Sequence, residues 1–134
     1  MSLTRSELRN KIMIILYQVE IYKNNNINYD LDKVIKENLE IENDFVKEIV
    51  YGVSTKIDEL DELADKYIND WSIKRIDRTG ASILRMAIYE LKYTDTPEIV
   101  VINEAIELAK KYSDDNVRKI INATLDRMIN EWRK

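Results

Sequence analysis

The chain of 134 residues is 45% hydrophobic and 34% charged, with 21 Lys and Arg against 25 Asp and Glu for a net charge of −4. That composition fits one ordinary domain with a real core, and it excludes a uniformly basic nucleic-acid binder. The absence of Cys and His removes disulfides, thiolate sites and imidazole catalysis, and two glycines, Gly52 and Gly80, cannot build a glycine-rich phosphate loop. A first helix opens at Thr4, because Thr4-Arg5-Ser6-Glu7 fits a capping box in which hydroxyl and carboxylate satisfy free N–H groups reciprocally. Leu8, Ile12, Ile15, Leu16 and Val19 form its apolar stripe to about residue 23. Asn24-Asn25-Asn26-Ile27-Asn28 reads as a loop, since Asn side chains compete with helical backbone bonds. A short helix with Leu31, Val34, Ile35 and Leu39 follows from Asp30 or Asp32.

Asn43 or Asp44 is expected to cap one long third helix carrying Phe45, Ile49, Val53, Ile57, Leu60, Ala64 and Tyr67, with a soft spot at Gly52 and Ser54-Thr55. A turn or short helix should lie between Trp71 and Arg75, and Ile83, Leu84, Ala87, Ile88 and Leu91 mark the next helix. Thr96 at N-cap and Pro97 at the first helical position start another. Its Ile99-Val100-Val101-Ile102 run resembles a strand in composition, but helical spacing continues to Tyr112. Ser113 or Asp114 opens the last helix, with Val117, Ile121, Leu125, Met128 and Trp132 inward. The expectation is an all-α fold of six or seven helices, forming two small bundles that meet near residue 70 within one domain spanning 1–134. The longest apolar run, Ile12–Tyr17, is six residues, against the ~20 needed to span a bilayer, so no membrane role and a cytoplasmic location are expected.

The charge is segregated. Residues 1–23 carry net +2, residues 30–70 net −8 and residues 71–134 net +2. Cations of the two ends could combine into one phosphate-tracking patch if the first helix packs beside the C-terminal ones; ordinary solvated helix faces are the alternative.

Trp71 with Lys74-Arg75-Ile76, then Ile83-Leu84-Arg85 with Ala87 and Tyr89-Glu90-Leu91, then Ile102-Asn103-Glu104-Ala105 with Glu107-Leu108-Ala109-Lys110, then Ile121-Asn122-Ala123 with Leu125-Asp126 make an ordered signature. In this order and spacing it resembles the NusB family of transcription antitermination factors, and Arg5, Arg9 and Leu16-Tyr17 are similar to that family's arginine-rich start. The resemblance spans most of the chain, most thinly between residues 24 and 45. It implies two roughly perpendicular sub-bundles, about 4–69 and 70–134. It also implies binding of the single-stranded boxA element of ribosomal RNA leader transcripts together with the ribosomal small-subunit protein NusE, within a complex of NusA, NusG and RNA polymerase that suppresses termination. No reaction and no cofactor are expected, and the family includes monomers and homodimers.

Single-stranded RNA needs cations for phosphates, planar groups for stacking and amides or carboxylates for base edges. Arg5 and Arg9 are four residues apart on one side of the first helix, near its positive end. Arg9, Met13 and Tyr17 form a row, so Tyr17 is either a stacking ring or a half-buried core tyrosine. The resemblance assigns RNA contacts to Arg85 and Lys119, and charge adds Lys11; a carboxylate-paired Arg85 is the alternative. Asn103, Glu104, Asn122 and Asp126 read as ties between helix ends. The chain departs from the family pattern at Ser6, Glu7 and Asn10, which thin the arginine-rich start, at Gly80-Ala81, where Asp-Arg is usual, and at Ala123, where glycine is usual; appreciable RNA affinity is therefore expected only with the ribosomal protein. Two other readings compete. One is an acidic protein-interaction module without RNA. The other is a Mg-dependent nucleotide pyrophosphohydrolase using Asp58, Asp61, Glu62 and Asp65, which share a helical face.

Overall fold

The computed structural model describes residues 2–133, and among them it contains seven helices and no strand: α1 (Arg5–Asn24), α2 (Leu31–Asn38), α3 (Asp44–Thr55), α4 (Ile57–Tyr67), α5 (Arg78–Tyr93), α6 (Glu98–Tyr112) and α7 (Asp115–Trp132). Local chemistry sets most of the starts. The Glu7 amide donates to Thr4 Oγ1 at 3.1 Å while the Thr4 amide donates to Glu7 Oε1 at 2.9 Å, completing the capping box. Asp30, Asn43, Asp77 and Asp114 cap α2, α3, α5 and α7 by accepting from Asp32, Val46, Gly80 and Val117 amides.

Two boundaries differ from the sequence expectation. The long third helix is broken at Lys56, which ends α3 and begins α4 with φ −110° and ψ 22°. The break lets α3 and α4 each lie against α5. Gly52 serves the same packing, since a Cβ there would overlap the Tyr89 ring of α5. At the other boundary, Pro97 is the N-cap of α6 and Thr96 lies outside the helix, its amide donating to Thr94 Oγ1 at 3.3 Å. Trp71 to Arg75 is a non-helical connector containing a turn, in which the Arg75 amide donates to the Ser72 carbonyl.

One continuous apolar core runs through both halves of the chain, and α5 is its axis. Every residue from Gly80 to Glu90 is buried, and α5 packs against α1, α3, α4, α6 and α7. A helix buried on all sides is held by its neighbours, because no polar face is left for solvent. Gly80 permits one of these contacts: a Cβ at that position would collide with Val117 of α7 and the Asp77 carboxylate.

Candidate nucleic-acid interface

The structure separates the expected RNA-contacting residues into two groups. Arg5 is exposed at the first turn of α1, its guanidinium 4.0 Å from the centroid of the Phe45 ring. Lys11 is half-buried, Tyr17 is half-buried further along α1, and Lys119 is exposed on α7. Arg9 and Arg85 are buried. Arg9 donates from Nε and Nη2 to the two Glu90 oxygens at 2.7 and 2.8 Å, with side chains only 5% and 2% exposed. The fork-to-fork bond keeps this guanidinium protonated even beyond its ordinary range. Arg85 makes the equivalent pair with Asp61 at 2.7 and 3.1 Å, and Glu20 lies 3.7 Å away. Both arginines, expected as RNA contacts, clamp α1 and α4 to α5, which for Arg85 is the carboxylate-paired alternative; the row of Arg9 with Met13 runs into the core, where Met13 is 3% exposed.

The first helix does pack beside a C-terminal one. Ser6 Oγ donates to Glu104 at 2.7 Å, Tyr112 Oη donates to Asn10 Oδ1 at 2.7 Å, and Lys111 Nζ reaches the same oxygen at 3.4 Å. Thus Ser6 and Asn10, departures from the charged start that the resemblance implies, supply the uncharged side chains that seat α1 on α6. Glu104 ties helices as expected. Between the two helices runs an open groove of about 750 Å³, walled by Glu7, Asn10 and Lys11 on one side and Glu104, Glu107, Lys110 and Lys111 on the other, with Lys110 paired to Glu107 at 3.6 Å. Tyr112 is 37% exposed at its end, with the Lys111 ammonium 5.2 Å from its ring. Three lysines, three glutamates, an amide and an exposed ring therefore meet along one edge.

A second basic surface, unassigned by sequence reasoning, surrounds the connector between α4 and α5. Lys23, Lys74, Arg75 and Arg78 are exposed, and none has an ion-pair partner among the described residues. Ile73 and Ile76 anchor the connector in the core, and Trp71 stands 45% exposed beside them. Lys23, Lys74 and Arg78, with Glu20 and Asp58, line a groove whose floor carries the Arg85–Asp61 pair. The available signal was Trp71 followed by Lys74, Arg75 and Arg78, an aromatic with closely spaced cations.

The carboxylates of the hydrolase reading are used structurally. Asp61 accepts from Arg85, and Asp65 accepts from the Ile73 amide at 2.8 Å, fixing the connector. Asp58 and Glu62 are left at the periphery, and no three carboxylates converge on an ion-sized position among the described residues. Nor is any described helix long and apolar enough to cross a membrane.

Comparison with known proteins matches residues 6–130 to the model of the NusB family. The transcription antitermination protein NusB of Pediococcus pentosaceus is 38% identical over 128 residues, covering 93% of this chain and 96% of that protein. Among solved structures, a T. maritima NusB superposes with a TM-score of 0.83 at 32% identity, covering 98% of this chain and 94% of that one. The antitermination factors NusB and NusE in complex with dsRNA give a TM-score of 0.80 at 24% identity, covering 95% and 96%, a likeness of fold. With its seven-helix architecture and near-complete match, the chain belongs to the NusB family.

Proposed function

We propose that this protein is a transcription antitermination factor that binds boxA-type single-stranded RNA of ribosomal RNA leaders together with the ribosomal small-subunit protein NusE, helping RNA polymerase, with NusA and NusG, to read through terminators. The observation that carries the reading is the edge where α1 meets α6, with Lys11 on one helix and Lys110, Lys111 and the exposed Tyr112 on the other, while Arg5 stands on the neighbouring flank of α1 over the Phe45 ring. Lys119 and Tyr17 extend the site in this reading, and the connector with Trp71, Lys74, Arg75 and Arg78 continues the phosphate track. Arg9 and Arg85 act from beneath as positioning residues. The relative crystallised with NusE and dsRNA supports the choice of partner.

The protein acts by binding in the cytoplasm and catalyses no reaction. Two short cationic stretches on a chain of net charge −4 suit weak binding alone and tighter binding with a basic partner. A homodimer that covers α1 until RNA or partner arrives belongs to the same reading, and light scattering with and without NusE tests it. The central experiment is fluorescence anisotropy of labelled boxA-type RNA with this protein, with NusE, and with both, across a salt series. Tight, sequence-selective binding by the pair is expected. A ternary signal indifferent to RNA sequence refutes the reading.

A further inference from the structure

A different groove lies on the opposite flank of α1, between its first turns and the segment joining α2 to α3. It encloses about 670 Å³, within the size range of ligand clefts. Leu8 and Leu39, both buried, form its floor, while Leu3 is 40% and Ile41 is 75% exposed at its rim. Ile41 is the most exposed large apolar side chain of the described residues. The charges lining the groove are Glu37, Glu40 and Glu42 against Lys11, and Glu42 is held by Lys47 at 2.6 Å. Leu39 and Asn43, which bound the segment, have extended backbone, with φ −145°, ψ 111° and φ −141°, ψ 122°, and the chain bends at Glu40 and Ile41 between them. Between them the N–H groups of Glu40, Ile41 and Glu42 have no partner among the described residues. A bend with free donors, an apolar floor and an acidic rim together suit a basic chain that brings carbonyl acceptors and an apolar anchor.

We propose that this groove docks a basic polypeptide segment of a protein partner, anchored by one apolar side chain against Leu39 and Ile41. Charge complementarity selects the occupant. With three carboxylates against one lysine in the lining, a nucleic acid would meet net negative charge, and a second copy of this chain would bring its own excess of acid, whereas lysines and arginines answer Glu37 and Glu40. Lys11 lines both this groove and the one between α1 and α6, so the occupant and a ligand of the basic edge would flank the same turn of α1. The proposal stands independently of the RNA reading.

The test uses the full chain and a short end-capped peptide in which arginines alternate with leucines, followed by two-dimensional amide NMR. Saturable shifts are expected at Leu3, Lys11 and residues 37–43. Ile41→Ser, at a position too exposed to threaten folding, should weaken the peptide at least tenfold. Glu37→Gln with Glu40→Gln should weaken it several-fold and flatten its salt dependence. Absence of saturable binding, shifts centred on Asp58 and Glu62 of α4, or an Ile41→Ser variant that binds as well as the parent would each overturn the proposal. So would a single-stranded RNA that produces the same shifts at residues 37–43. Ile41→Ser should leave RNA anisotropy unchanged, so failure of the peptide and failure of the RNA reading give different results.

Discussion

Replacing Arg9 by Ala separates the buried role of this arginine from the phosphate contact suggested by its position in α1. The substitution leaves Glu90, whose side chain is 2% exposed, without the guanidinium that takes both of its oxygens. Breaking a buried pair from one side costs roughly 3–5 kcal/mol, because the remaining charge is stranded in a medium of low polarity. For a chain of this size about 3.5 °C of Tm corresponds to 1 kcal/mol, so Arg9→Ala should melt roughly 10–18 °C below the parent. Replacing both partners, as Arg9→Met with Glu90→Leu, removes the stranded charge and should recover stability to within about 2 kcal/mol of the parent. Differential scanning calorimetry of the parent, the single variant and the double variant reads both quantities. In the RNA assay, run well below the Tm of the variant, the salt dependence should keep its slope, whereas losing a phosphate contact lowers the slope by about 0.7 for a single strand. An Arg9→Ala protein that loses less than about 1 kcal/mol, or that loses one phosphate's worth of slope, refutes the buried role.

The exposed arginine should behave oppositely. Arg5→Ala removes a cation–π contact with Phe45 worth about 0.5–1 kcal/mol, so Tm moves little, while the salt slope of RNA binding falls by about 0.7; an unchanged slope takes Arg5 out of the interface. Gly52→Ala drives a methyl into the Tyr89 ring and should destabilise by about 1–3 kcal/mol in urea titration, with much of the loss recovered by Tyr89→Leu. Acid should weaken the fold through Glu7, Glu42 and Glu59, whose carboxyls are held below their ordinary 4.5 by the Thr4 amide, Lys47 and the Tyr93 hydroxyl respectively. A lowered native pKa contributes stability that is fully present above 4.5 and lost as pH falls through the native value. Stability measured from pH 6 to pH 3 should therefore decline less steeply in a Glu7→Gln, Glu42→Gln variant than in the parent.

What the sequence made legible follows the reach of each interaction. Capping at Thr4, Asp30, Asn43 and Asp114 involves partners within three residues, so helix starts could be read to within one or two residues. The Lys56 break was legible only as the soft spot at Gly52 and Ser54-Thr55, because its place depends on α5 lying against both α3 and α4. The arginines were harder still: Arg9 and Glu90 are 81 residues apart, and Arg85 and Asp61 are 24 apart. Neither partnership has a local signature. One clue was present: Arg9 shares a helical row with Met13 inside an apolar stripe, a position facing the core. The connector was legible as motif but not as surface, since only the fold shows that Ile73 and Ile76 turn inward and leave Trp71 with its cations outside.

The burial of α5 on every side also decides how the molecule can move. Amides between Gly80 and Glu90 should exchange with deuterated solvent only when the whole domain unfolds, so their protection reports global stability. The eight-residue α2, with Val34 and Ile35 as its only buried residues, and the unpaired segment after it should open by themselves at far lower cost. Adjustment to a ligand on either flank of α1 is then confined to the rim, around an axis that stays fixed.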